Sequence, residues 1–461
     1  MKPVTLLLAA IMFSAGATCA HSQESKPTIR HHRVEEPAED ASAPELAQAE
    51  DAMQHNDFAA AEPLLQKAVA AKPNDYRAWF DLGYIYAHTG RPREAIDAYR
   101  KAVAAKPEVF ESNLNLGLLL ANSNGAGDSA ESAKYLKAAT QLKPTAHPQE
   151  SLMTAWMALG QVEETQEPTQ ALLAFAQAAK LNPADPGPHV AAGKFYELYD
   201  CRVCPDVPTE ARLNFAIKEY KTALEIDATS VDALRGLERI YERLNNYAEA
   251  EIVLRKLLAL NPRDPSARLY LAKALSAQGK NDEAVQELQT GLQANPGDPH
   301  AALELGTLYV KAGKDADAEQ QFRVAVQKLP QDPEAHFALG SLLLHEKKFA
   351  ESQQELQIAV RLKPDLAEGY SNLAVAASSN KNYTLAMQAL DMRARFLPET
   401  PATYFLRAAT FDNLKQIPQA VEYYQKFLAV DGGQFPDQEW QARHRLIAID
   451  PKNADKYRLK K

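Results

Sequence analysis

Prolines at a fixed interval constrain this chain more than any other feature. Pro262, Pro296, Pro330, Pro364 and Pro398 follow one another at 34-residue steps, and Pro73 and Pro107 keep the same step. A regular period of this length marks stacked copies of one supersecondary unit rather than independent domains. The unit is clearest in residues 76–109. There Trp79, Leu82, Gly83 and Tyr86 fall at three- and four-residue steps, followed by Ala95, Tyr99 and Ala102, then Pro107. Both sets have helical spacing, and Gly90 between them is a helix stop. Each copy therefore reads as helix, short turn, helix, with the proline ending the second helix and opening the next copy.

This pattern resembles the tetratricopeptide repeat family, whose signature is Trp-x2-Leu-Gly-x2-Tyr, then Ala-x3-Phe, Ala and Pro. It recurs as Leu305-Gly306, Tyr309, Ala318, Phe322, Ala325 and Pro330, and partially as Leu339-Gly340, Leu356, Ala359 and Pro364. Small residues are required where two helices approach closely, because bulk would push them apart. The resemblance implies an all-α fold, a right-handed superhelical solenoid of about eleven helix-turn-helix repeats. The copies fall at 42–75, 76–109, 110–145, 146–185, 186–230, 231–264, 265–298, 299–332, 333–366, 367–400 and 401–434. Residues 122–128 extend the third turn, 161–169 the fourth, and an insertion around 200–208 lengthens the fifth copy. Residues 435–461 are expected to form a capping helix, bearing Trp440, Leu446 and Ile449 over the last apolar face, and a frayed basic tail.

The two ends of the solenoid differ from it in composition. Residues 1–20 read as an export signal: Lys2, an apolar run over residues 4–13, and small-residue cleavage sites ending at Ala17 or Ala20. The run is too short to span a bilayer, which takes about 20 residues. Retention as an anchor is the alternative, and Cys19 lacks a good lipobox before it. Residues 21–41 are polar and acidic, with Glu35-Glu36-Pro37-Ala38-Glu39-Asp40, and read as a disordered linker. The formal charge of −9 argues against a nucleic-acid binder, which needs a basic face.

In this family the first helices line a concave groove that commonly holds an extended peptide. The fifth place of each copy reads Leu46, Phe80, Leu114, Glu150, Val190, Arg235, Leu269, Leu303, Phe337, Ser371 and Phe405, mostly apolar. Such a row suits either pockets for apolar side chains or half-buried contacts between helices. Lys194, Arg235, Arg239, Arg243 and Lys273 fall on groove-facing places in consecutive copies. They suit an acidic segment of a partner, or pair within the helix with Glu238 and Glu242. Phe80, Tyr84, Phe337 and Phe405 would serve a carbohydrate-binding groove.

Cys201-Arg202-Val203-Cys204-Pro205 lies in the longest insertion. Outside the cytosol, Cys201 and Cys204 are expected to close a small disulfide; an unpaired thiol pair and redox or metal chemistry are the alternatives. No Gly-rich phosphate loop, Gly-x-Ser-x-Gly elbow or His-Glu-x-x-His helix occurs. The expectation is a non-enzymatic protein–protein interaction scaffold without cofactor or metal, exported to the periplasm or secreted. An accessory role in outer-membrane assembly or polysaccharide export is the alternative setting.

Overall fold

The computed structural model describes residues 44–123, 128–198 and 208–458, in which every regular element is a helix. The chain divides into two compact units, the first ending at Ile240 and the second beginning at Tyr241. The first unit contains α1 (Pro44–Gln54), α2 (Phe58–Ala71), α3 (Tyr76–His88), α4 (Pro92–Ala105), α5 (Phe110–Ala121), α6 (Asp128–Thr140), α7 (Pro148–Glu163), α8 (Pro168–Leu181), α9 (Gly187–Leu198) and α10 (Thr209–Ile226). The division falls within α11 (Val231–Arg243). The second unit continues with α12 (Tyr247–Leu260), α13 (Pro265–Ala277), α14 (Asn281–Ala294), α15 (Pro299–Lys311), α16 (Asp315–Lys328), α17 (Pro333–His345), α18 (Phe349–Leu362), α19 (Ala367–Ser379), α20 (Tyr383–Arg393), α21 (Pro401–Asn413) and α22 (Ile417–Val430). After these come α23 (Pro436–Ile449), a 3₁₀ turn (Pro451–Asn453) and α24 (Ala454–Tyr457). Within each unit, helices pair into hairpins and each hairpin packs on the next.

Local chemistry writes the boundaries. Pro92, Pro148, Pro168, Pro265, Pro299, Pro333, Pro401 and Pro436 open helices, where a missing N–H costs nothing. Asp75, Asp264, Asp298 and Asp332 cap first helices, accepting first-turn backbone N–H groups at 3.0–3.1 Å. Most of the turns inside the hairpins hold one left-handed residue, although the α7–α8 turn does without one. Gly90, Gly279 and Gly313 supply it with φ of 75°, 80° and 68°, whereas Lys347, Lys381 and Lys415 hold the same place at 62°.

Four of the joints between hairpins are held by a bond that the sequence pattern conceals. Six residues after the joint proline, a side-chain N–H returns to that proline's carbonyl. Trp79 donates to Pro73 at 2.8 Å, Asn113 to Pro107 at 2.8 Å, Arg268 to Pro262 at 2.7 Å and His336 to Pro330 at 3.2 Å. Four unlike residues share one trait, a nitrogen donor of sufficient reach.

Inside each hairpin a small residue faces a large one. A Cβ on Gly83 would lie 3.0 Å from the Tyr99 ring, on Gly160 2.4 Å from Phe175, and on Gly306 2.5 Å from Phe322. Tyr220 is held between two glycines: a Cβ on Gly193 would reach it at 2.8 Å and one on Gly236 at 2.2 Å.

Three expectations need correction. The added residues of the fourth copy lengthen the helix rather than the turn, since α7 runs on to Glu163. Trp440 does not join the cap; it is 57% exposed with its ring against His444, while Ala442 and Leu446 on α23 are buried. The tail is ordered through Arg458: Tyr457 is buried, its hydroxyl donating to Asp450 at 2.6 Å and accepting from Gln425 at 2.7 Å.

Candidate functional site

In the second unit α13, α15, α17 and α19 touch one another in succession, so four first helices form a continuous face. Lys273, Thr307, Val310 and Val375 stand exposed on these helices, with Ser341 and Leu344 half-buried among them. Val310 and Val375 are each 42% exposed. Polar links stitch neighbouring helices: Lys273 pairs with Glu304 at 3.2 Å, and Asn372 donates to Ser341 at 2.9 Å. In the first unit α5 and α7 also touch. Between them lies a cavity of about 230 Å³ lined by Leu118, Asn122, Ser129, Ala158, Val162 and Thr165.

The fifth place of the copies is a packing position. Leu46 and Phe80 are buried, and Phe80 sets its ring edge-on against Tyr99 at 5.5 Å. Leu114 and Phe337 are half-buried against the cores of their own units. Phe405 packs on Tyr424 and Phe427 at 5.9 and 5.3 Å. Tyr84 lies between Phe58 and His88, at 6.2 and 3.9 Å. The rings of Phe80, Tyr84, Phe337 and Phe405 stack on the protein itself, in the half-buried contacts between helices that were one of the two readings of this row.

The basic residues divide between the units: Lys194, Arg235 and Arg239 belong to the first, Arg243 and Lys273 to the second. Arg235 pairs with Glu238 at 3.6 Å, the intrahelical partner expected of it. Arg239 does not take Glu242. Its Nε and Nη2 donate to Glu197 of α9 at 2.6 and 2.8 Å. Glu197 is buried and also accepts the Tyr220 hydroxyl at 2.8 Å. Its carboxylate holds the Arg239 guanidinium charged. Burial first, then the hydrogen bond to Glu197, pushes the Tyr220 hydroxyl far above the ordinary phenol range. Lys194 is exposed; it partly offsets the burial that raises the carboxyl of Glu164.

Glu197 and Tyr220 were not legible as a pair with Arg239. The carboxylate is 42 residues from the guanidinium, with the long insertion between them. Residues 199–207, and with them Cys201 and Cys204, lie outside the described residues, as do 1–43. Among the described residues no group of three or more potential metal ligands occurs, and no helix is long and apolar enough to cross a membrane.

Stacked hairpins with small residues facing large ones define a helical repeat scaffold. Tetratricopeptide repeat models match residues 46–109 and 89–147, and a second set matches 210–274, 245–303 and 275–342. Together they span just over half of the sequence, and the chain belongs to this family. Its members generally mediate protein–protein interaction. Among solved structures the chain is similar to Pseudomonas aeruginosa PilF, with 21% identity, 46% of this chain and 96% of PilF covered, and a TM-score of 0.40. It is similar to YrrB, a TPR protein with an unusual peptide-binding site, at 22% identity, 46% and 100% coverage and a TM-score of 0.35. Yeast Tom70 aligns at 14% identity over 88% of this chain and 95% of its own, with a TM-score of 0.34. No curated protein matches.

Proposed function

We propose that this protein is an exported, non-enzymatic scaffold of the cell envelope that holds a protein or peptide partner along its first helices. The observation that carries the reading is the succession of contacts among α13, α15, α17 and α19, with Val310 and Val375 exposed upon it. An extended segment laid on such a face buries apolar side chains one copy at a time, while the polar links hold the face rigid. Affinity is about micromolar, because ordering an extended ligand opposes burial.

The acidic-segment reading narrows. Arg235, Arg239 and Lys273 already hold carboxylates of their own chain. Lys194 and Arg243, each within its own unit, are the cations of the set left to meet an acidic partner. Export rests on Lys2 and the apolar run at residues 4–13.

Photo-crosslinking residues placed at Thr307, Val310 or Val375 test the reading. They should trap one partner in cells that the same residue at Glu283, on the second helix α14, does not trap. Val375→Arg should lower capture about tenfold with an unchanged melting temperature. Equal trapping from α14 contradicts the groove; a mature N-terminus still at Met1 in the cytoplasmic fraction contradicts export.

A further inference from the structure

Arg268 and His336 stand at the same place in copies two repeats apart, each closing a joint in the second unit. Arg268 donates Nη2 to the Pro262 carbonyl at 2.7 Å and pairs through Nη1 with Glu287 of α14. His336 repeats the arrangement: Nε2 faces the Pro330 carbonyl at 3.2 Å and Nδ1 faces Glu355 of α18 at 2.6 Å. Both partners of the imidazole are acceptors, and the ring is buried, 4% exposed. A neutral imidazole owns one N–H and an imidazolium two. Trp79, Asn113 and Arg268 close their joints with donors that do not titrate in the physiological range.

We propose that the joint at Pro330 is a pH-sensitive joint, closed by the protonated imidazolium of His336 and loosened when that ring loses a proton. With two protons the ring satisfies Pro330 and Glu355 together, as the guanidinium of Arg268 does permanently. With one, either the carbonyl of Pro330 or the carboxylate of Glu355 loses its donor, inside a buried contact. The joint is therefore tighter at acidic than at alkaline pH.

The surrounding charges leave this assignment in place. Of the helices packed on α17, α18 supplies Glu355, and among the described residues no other carboxylate lies within ion-pair distance of the ring. On α16, Arg323 is held by Glu319 and Glu351, and Lys328 lies against Gly297; on α15, Glu304 pairs with Lys273 while His300 and Lys311 are exposed, and on α19 Glu368 is exposed. In the joint itself, Asp332 is engaged by the Glu334 backbone N–H.

Hydrogen exchange of the full chain at pH 6 and pH 8.5, corrected for intrinsic chemical rates, tests the proposal. First-turn amides of α17 should exchange about fivefold faster at the higher pH, the loss of one net hydrogen bond, while those of α13 after Pro262 stay level. His336→Arg should copy the Arg268 arrangement and abolish the difference. Should that variant fail to fold, ring ¹⁵N shifts of His336 in the native chain read the same point: both nitrogens protonated at pH 6 and one at pH 8.5. Equal change at both joints, no change at Pro330, or a neutral ring at pH 6 overturns the proposal.

Discussion

The copies of residues 231–400 keep one length, whereas those of residues 110–230 vary in length, and the two regions keep different things constant. In the regular region even surface contacts recur. Glu251 pairs with Lys280 at 2.7 Å and Glu319 with Lys348 at 2.8 Å, two repeats on. Arg255 reaches Glu283 and Arg323 reaches Glu351 in the same register. Where the irregular region meets its neighbours the charged partners are individual: Arg100 with Glu131, and Arg239 with the buried Glu197. What survives there is the tight buried approach, Gly160 under Phe175 and Gly193 and Gly236 around Tyr220. The buried small–large contact makes a copy, and the charged surface follows where the length permits.

The contrast can be broken most severely at Tyr220. Gly236→Ala places a methyl 2.2 Å from a ring already backed by Gly193, so the ring has nowhere to go. The expected cost is about 3 kcal/mol in urea unfolding, with partial recovery on adding Tyr220→Leu. A cost below about 1 kcal/mol would show that the glycines are dispensable. Next comes Arg239→Ala, which strips buried Glu197 of its cation and leaves it with Tyr220. About 2 kcal/mol should be lost, the size of a hydrogen bond to a charged group, and Glu197→Gln in the same background should restore part of it.

The regular region offers a gain. Lys381 occupies the left-handed turn place filled by Gly279 and Gly313. Lys381→Gly should raise stability by about 1 kcal/mol by relieving the Cβ crowding, read as a higher melting temperature.

The smallest effect is electrostatic. The Lys280 ammonium first, then Gln278 and Arg255, hold the Glu251 carboxyl down to about 2, against the opposing effect of burial. Since its folded value lies below the ordinary 4.5, this carboxylate stabilises the chain above that pH, and the contribution fades as pH falls toward 2. Glu251→Gln should flatten that acid limb by less than about 1 kcal/mol and remove its salt dependence.

Periodicity disclosed the helices, their pairing and their joints, because proline and glycine act through the backbone and leave a mark at fixed spacing. Side-chain partners were hidden wherever the second member came from another helix. The link of His336 to Glu355 repeats that of Arg268 to Glu287 after two copies and so has a signal in the period. The matching His189–Glu219 contact, at 2.7 Å, is masked because the long insertion shifts its spacing. Phe80 and Trp440 are both large and apolar, but the first is buried and the second exposed, and spacing alone does not tell which flank of a helix a neighbour covers.

The period itself is the account's central claim, and excision measures it most directly. Removing residues 299–332 takes out one whole hairpin, α15 with α16, and rejoins equivalent joints. The shortened chain should keep its ellipticity per residue and unfold cooperatively within a few degrees of the parent. Removing residues 299–315 instead should unfold the second unit. Equal damage from both excisions would contradict a 34-residue structural quantum.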